Sequence, residues 1–156
     1  MNYSAFRELE SNDDYGTQQN MERIFHSVLE ETDETIWCFN ECLAPKFVSC
    51  SWEKMELTVR YDVSSWMLNP SGIVHGGVIS AGCDLAMGML VRYLKRNAEC
   101  VTVQMQMQFI RRIPGSGSFI VKAKADRAGR TLYFMSAHVF RSSDAELSAA
   151  SSAEFM

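Results

Sequence analysis

No two cysteines of this chain stand in a Cys-x-x-Cys spacing; Cys38, Cys42, Cys50, Cys83 and Cys100 are scattered and odd in number. Disulfide staples and a zinc ribbon are therefore not expected, and the thiols read as free and mostly buried. The three histidines, His26, His75 and His138, are equally dispersed, so the expectation is a protein with no metal and no redox cofactor. MNYSAFRELESNDDYG lacks a cationic n-region and an apolar h-region, and no apolar run reaches transmembrane length. That predicts a cytoplasmic protein with no membrane contact. Basic charge is short as well: the net charge is −4, and residues 1–34 hold nine Asp or Glu against Arg7 and Arg23, which speaks against a nucleic-acid partner. No repeat, low-complexity tract or linker divides the 156 residues, a length suited to one core.

What is present is ordered. Residues 1–16 are polar, acidic and aperiodic, and read as a loose leader; deletion of residues 1–14 is expected to leave folding intact. Met21, Ile24, Phe25, Val28 and Leu29 then recur at helical spacing, predicting an amphipathic helix over about 17–31. From Phe47 to Val63 the chain alternates as one or two strands. Residues 78–91, VISAGCDLAMGMLV, are apolar or small on every face except at Ser80 and Asp84, so a helix there must be enclosed on all sides. Val101, Val103, Met105, Met107 and Phe109 alternate strictly with Thr102, Gln104, Gln106 and Gln108, the clearest strand, with one face buried and the other polar. Strands over 119–126, 132–141 and about 146–155 follow with short turns, which implies antiparallel pairing. The fold class is α+β: an antiparallel sheet of five to six strands curled around one central helix, plus an N-terminal helix.

Asp84 is the most informative residue, because a carboxylate amid apolar neighbours must be compensated by hydrogen bonds, a partner charge or neutralisation. It serves either chemistry or the orientation of a neighbouring strand. The Gly76-Gly77 doublet opens the same helix, where unpaired N–H groups and the helix dipole suit an oxyanion or carbonyl, or where two glycines simply make a tight junction. Eight residues separate Gly76 from Asp84, about 12 Å along a helix axis. If both belong to one site, the simplest arrangement takes them from two subunits across a two-fold axis. Cys83 beside Asp84 points about 100° away and reads as core. From Leu85 onward, ten Lys or Arg stand against five acids, a balance suited to a compact anionic ligand or to mere solubility.

The stretch Asn69-Pro70-Ser71-Gly72-Ile73-Val74-His75-Gly76-Gly77, with Asp84, the QMQMQF strand and the Gly129-Arg130 turn, resembles the PaaI-type acyl-CoA thioesterases of the hotdog superfamily. The likeness covers residues 45–155; residues 17–156 then form a single hotdog domain behind the 1–16 leader. The resemblance implies hydrolysis of acyl-CoA, or of an acyl-carrier-protein thioester, by a homodimer or dimer of dimers. It assigns the Gly76 N–H to the thioester carbonyl, and Asp84 of the facing subunit to the role of nucleophile or general base. Asn69 would help place the carbonyl or the water, and Thr102 would hold the attacking water. His75, Gly77 and Arg130 would contact substrate, His75 being as well suited to a structural loop role. The other readings are a hotdog enoyl-thioester hydratase or dehydratase, and a non-catalytic acyl-CoA binding or sensing protein.

Overall fold

The computed structural model describes residues 1–11, 13–30, 38–97 and 99–156. The alternating segments form six strands, β1 (Lys46–Ser51), β2 (Glu56–Asp62), β3 (Thr102–Phe109), β4 (Ser118–Ala128), β5 (Tyr133–Arg141) and β6 (Leu147–Phe155). They join one sheet in the order β1-β2-β4-β5-β6-β3, every neighbouring pair antiparallel. Short turns make β4, β5 and β6 sequential neighbours, whereas β3 crosses over to pair with β6 and becomes an edge.

Helix α1 (Gln18–Glu30) buries Met21, Ile24, Phe25, Val28 and Leu29 as the spacing requires, and packs on β1. The anticipated last residue of that helix, Glu31, lies outside the described residues. A five-residue helix, α2 (Phe39–Leu43), precedes β1. The apolar segment becomes α3 (Gly76–Lys95), longer than 78–91, and lies across β2, β4, β5, β6 and β3. This is the hotdog arrangement, a sheet curled on one central helix. At 20 residues α3 is long and apolar enough to cross a membrane, contrary to the expectation that no run reaches that length. Yet most of it is buried in the fold, so the sheet takes up its apolar surface.

Three expectations are corrected by the packing. Residues 3–11 form a 3-10 helix, and Ala5, Phe6 and Leu9 are wholly buried, so the leader is a strap and not loose. The acidic residues conceal a short apolar face that finds its partner in the helices: Phe6 stacks edge-on against Phe25 of α1. Arg96, which caps α3, donates from Nε to the Leu9 carbonyl at 2.8 Å. Phe6→Ala is expected to cost about 3–5 kcal/mol and to lower Tm by roughly 10 °C in a thermal melt; an unchanged melt returns the segment to the status of a passive leader.

Second, the apolar residues over 101–109 are not uniformly buried in the single chain: Val101 is 62 % exposed, Val103 52 % and Phe109 56 %, while Met105 and Met107 are half-buried against the core. The cause is the edge position, which leaves one side of β3 without a neighbouring strand. Likewise α3 is not enclosed on all sides, because Ser80, Ala81 and Asp84 remain half-exposed. Third, of the five cysteines only Cys83 is buried.

Candidate active site

Asp84 lies mid-way along α3, and its Oδ1 accepts a hydrogen bond of 2.6 Å from Thr102 Oγ1. Strict alternation puts Thr102 on the outer face of β3 with Gln104, Gln106 and Gln108. A register shift between Thr102 and Gln104 breaks that alternation: Thr102 pairs with Phe155 while Gln104 pairs with Glu154. The extra residue of this bulge turns Thr102 to the helix side, where Phe155 is already buried. Tyr61 of β2 fixes α3 from below, its hydroxyl donating to the Gly82 carbonyl at 2.9 Å. Burial holds that hydroxyl well above its ordinary pKa, so it remains a neutral donor.

At the other end of α3, the loop over 69–75 is built by its own polar groups. Asn69 Oδ1 accepts from the N–H of Ser71 at 2.9 Å and of Ile73 at 3.4 Å, so its amide nitrogen is the group left to face a ligand. His75 caps the helix, Nδ1 accepting from the Gly77 N–H at 2.8 Å. Gly77 therefore has its donor taken, whereas the Gly76 N–H meets no acceptor among the described residues. A side chain on Gly76 would come within 3.2 Å of the Phe109 ring, so glycine here lets the end of β3 close onto the helix N-terminus. Gly76 and Asn69 line a cavity of about 290 Å³ together with Ile79, Phe109, Arg111 and Arg112.

The thioesterase superfamily model matches residues 71–148, which contain Gly76, Asp84 and Thr102. The chain belongs to the thioesterase superfamily. Among solved structures, a phenylacetic acid degradation-related protein from Ralstonia eutropha JMP134 is 25 % identical with a TM-score of 0.71, over 85 % of this chain and 98 % of that one. A Streptococcus mutans UA159 protein with acetyl-CoA bound is 20 % identical with a TM-score of 0.67, over 81 % and 95 %. A mutant of the phenylacetic acid degradation protein PaaI from Thermus thermophilus is 20 % identical with a TM-score of 0.66, over 75 % and 96 %. No curated protein matches. The enzyme is a thioesterase of that superfamily.

Within one chain of this thioesterase the candidate groups Asp84 and Gly76 stand apart. The Gly76 cavity does not include Asp84, and the two are about 12 Å apart along the helix. Arg130 lies exposed in the β4–β5 turn, at the sheet end where Ala128, Tyr133, Phe155 and Thr102 pair across the strands. It therefore belongs to the Asp84 end and not to the Gly76 cavity. Arg111 and Arg112 line that cavity instead. Arg111 Nε pairs with Glu146 Oε2 at 3.0 Å, and Arg112 is exposed with no ion pair among the described residues. Charge alone draws attention to these two arginines, but their neighbourhood with Gly76 arises from the β3–β4 connection, which no local pattern reveals. Phe109 and Ile79 are legible in the sequence only as core residues. Cys83 is excluded as a nucleophile: burial, helped by the Asp84 charge, pushes its thiol up to about 12.

Proposed function

We propose that this thioesterase hydrolyses acyl-CoA thioesters at two equivalent sites of a homodimer, each combining Asp84 and Thr102 of one subunit with Gly76 and Asn69 of the other. The observation that carries the reading is the hydrogen-bonded Asp84–Thr102 pair at one end of an exposed edge strand, with a free helix N-terminal donor at the opposite end. Thr102 and Phe109 are about 24 Å apart along β3. Antiparallel pairing of two β3 edges about the middle of the strand brings Thr102 to the Phe109 end of the partner subunit's β3, and hence Asp84 toward the partner subunit's Gly76. The same pairing covers Val101, Val103 and Phe109 and satisfies the unpaired edge.

In this arrangement the thioester carbonyl accepts from the partner subunit's Gly76 N–H at the positive end of α3, with the partner's Asn69 amide beside it. Thr102 donates to Asp84, so its own lone pairs are left to orient a water whose proton the other carboxylate oxygen takes. Water oxygen bonds to the carbonyl carbon, giving an oxyanion held by the Gly76 N–H. The C–S bond then breaks, the carbonyl re-forms as the acid, and Asp84 passes the proton to the departing thiolate. The products are a free acid and CoA thiol, with no metal or redox step. Arg111 and Arg112 at the cavity suit the CoA phosphates, and Arg130 reaches the same mouth from the other subunit. The acetyl-CoA in the Streptococcus mutans protein of like fold supports this ligand class.

The test is thiol release, followed with a chromogenic thiol reagent, across acetyl-, short-chain, aryl and long-chain acyl-CoAs. Turnover of at least one member is expected. Tight binding without release of thiol from any member sinks the hydrolytic reading in favour of an acyl-CoA sensor.

A further inference from the structure

Asp84, Gly88 and Arg92 follow one another at i, i+4 and i+8, so they share a face of α3 running from the reacting carboxylate toward the helix C-terminus. Gly88 is the next turn beyond Asp84 and has no side chain to occupy the space above it. What occupies it is Arg92: the place where a Gly88 Cβ would stand is 3.1 Å from Arg92 Nη1. The walls are Phe155, whose ring edge lies 3.5 Å from the same point, and Cys100, whose Sγ lies 3.6 Å away. Phe155 is the cross-strand partner of Thr102, so this plugged space adjoins the Asp84–Thr102 pair directly. Behind the plug stands the N-terminal strap, with the Arg92 guanidinium 5.3 Å from the centre of the Tyr3 ring.

We infer that Arg92, held by Tyr3, is the stop that limits the length of the acyl group. The inference rests on the thioesterase reading above. With Arg111 and Arg112 beside the Gly76 cavity to meet the polyanionic thiol half, the acyl group leaves the carbonyl on the other side, along the α3 face beyond Asp84. That route ends within about one helical turn, roughly 5 Å, because Arg92 lies on Gly88. The substrate class is therefore short-chain acyl thioesters, and the strap takes part in specificity through Tyr3.

The experiment compares kcat/KM for acetyl-CoA and octanoyl-CoA in the wild type, Arg92→Ala, Tyr3→Ala and the double variant Gly88→Val/Arg92→Ala, each checked for fold by thermal melt. The wild type prefers acetyl-CoA. Arg92→Ala raises the octanoyl-to-acetyl ratio by about tenfold or more, as expected for several methylenes newly admitted to an apolar space. Gly88→Val in that background refills the space and brings the ratio back, an outcome that a general loosening of the fold does not produce. Tyr3→Ala shifts the ratio in the same direction and carries the test if Arg92→Ala fails to fold. An unchanged ratio in the folded variants, or a wild type that prefers octanoyl-CoA, overturns the inference while leaving hydrolysis intact. No thiol release from any acyl-CoA overturns the thioesterase reading and this inference with it.

Discussion

Asp84→Ala is expected to leave Tm within a few degrees of wild type and to reduce kcat for thioester hydrolysis by about 10²–10⁴-fold, the usual contribution of a positioned general base. Its side chain is half-exposed and, among the described residues, makes one hydrogen bond, to Thr102, so little packing is lost with it. The loss falls on kcat because the carboxylate acts on water and not on the CoA moiety. Asp84→Asn separates charge from shape: it keeps an acceptor for the Thr102 hydroxyl but cannot take a proton, and its kcat should fall nearly as far. A single turnover in isotopically labelled water checks the base assignment. Label that appears only in the released acid agrees with a water attack, whereas label in the Asp84 carboxylate makes Asp84 the nucleophile. Retention of more than roughly a tenth of kcat by the folded Asp84→Ala variant, against the loss expected of a general base, would falsify any direct role.

The cross-subunit arrangement predicts that two inactive variants repair one another. Gly76→Pro removes the backbone donor at a helix position whose backbone tolerates proline, provided that the exposed Phe109 ring, 3.2 Å from the new Cβ, turns aside. The preceding His75 already has φ −63° and ψ 136°, the extended region that proline demands of its neighbour. Loss of one oxyanion donor costs about 10²–10³ in kcat. Mixed with Asp84→Ala after dissociation and reassociation, half of the dimers are heterodimers. In each of these, one site joins an intact Asp84 to an intact Gly76 while the other lacks both. Activity should therefore return to about a quarter of wild type. A mixture no more active than its components shows that Asp84 and Gly76 serve the same chain, or that the sites do not use both. Restoration after mixing also requires subunit exchange, so exclusion chromatography of tagged and untagged chains is run alongside.

The helix of residues 78–91 and the strands are readable because their apolar spacing follows from which faces meet the core. Asp84 stands out by the same rule, as a polar residue where nearly every neighbour is apolar. Thr102 is legible through the family resemblance, but its orientation is not: alternation assigns it to the outer face, and the bulge after it reverses that. Such a bulge depends on how β3 meets β6 fifty residues away, which local pattern cannot encode. The N-terminal strap escapes a sequence reading because Phe6 and Leu9 are isolated among polar and acidic residues, and a short apolar face gains meaning only from the helices it covers.

The hotdog class, the central helix, its start at Gly76 and the carboxylate within it are therefore written in the chain itself, since each follows from local periodicity, from a motif or from a polar group set against its surroundings. That β3 is an uncovered edge, that Thr102 donates to Asp84, that Arg92 lies on Gly88 and that the strap stands behind it emerge only on folding. These contacts join elements brought together by sheet order and packing, and no single segment of sequence is sensitive to either.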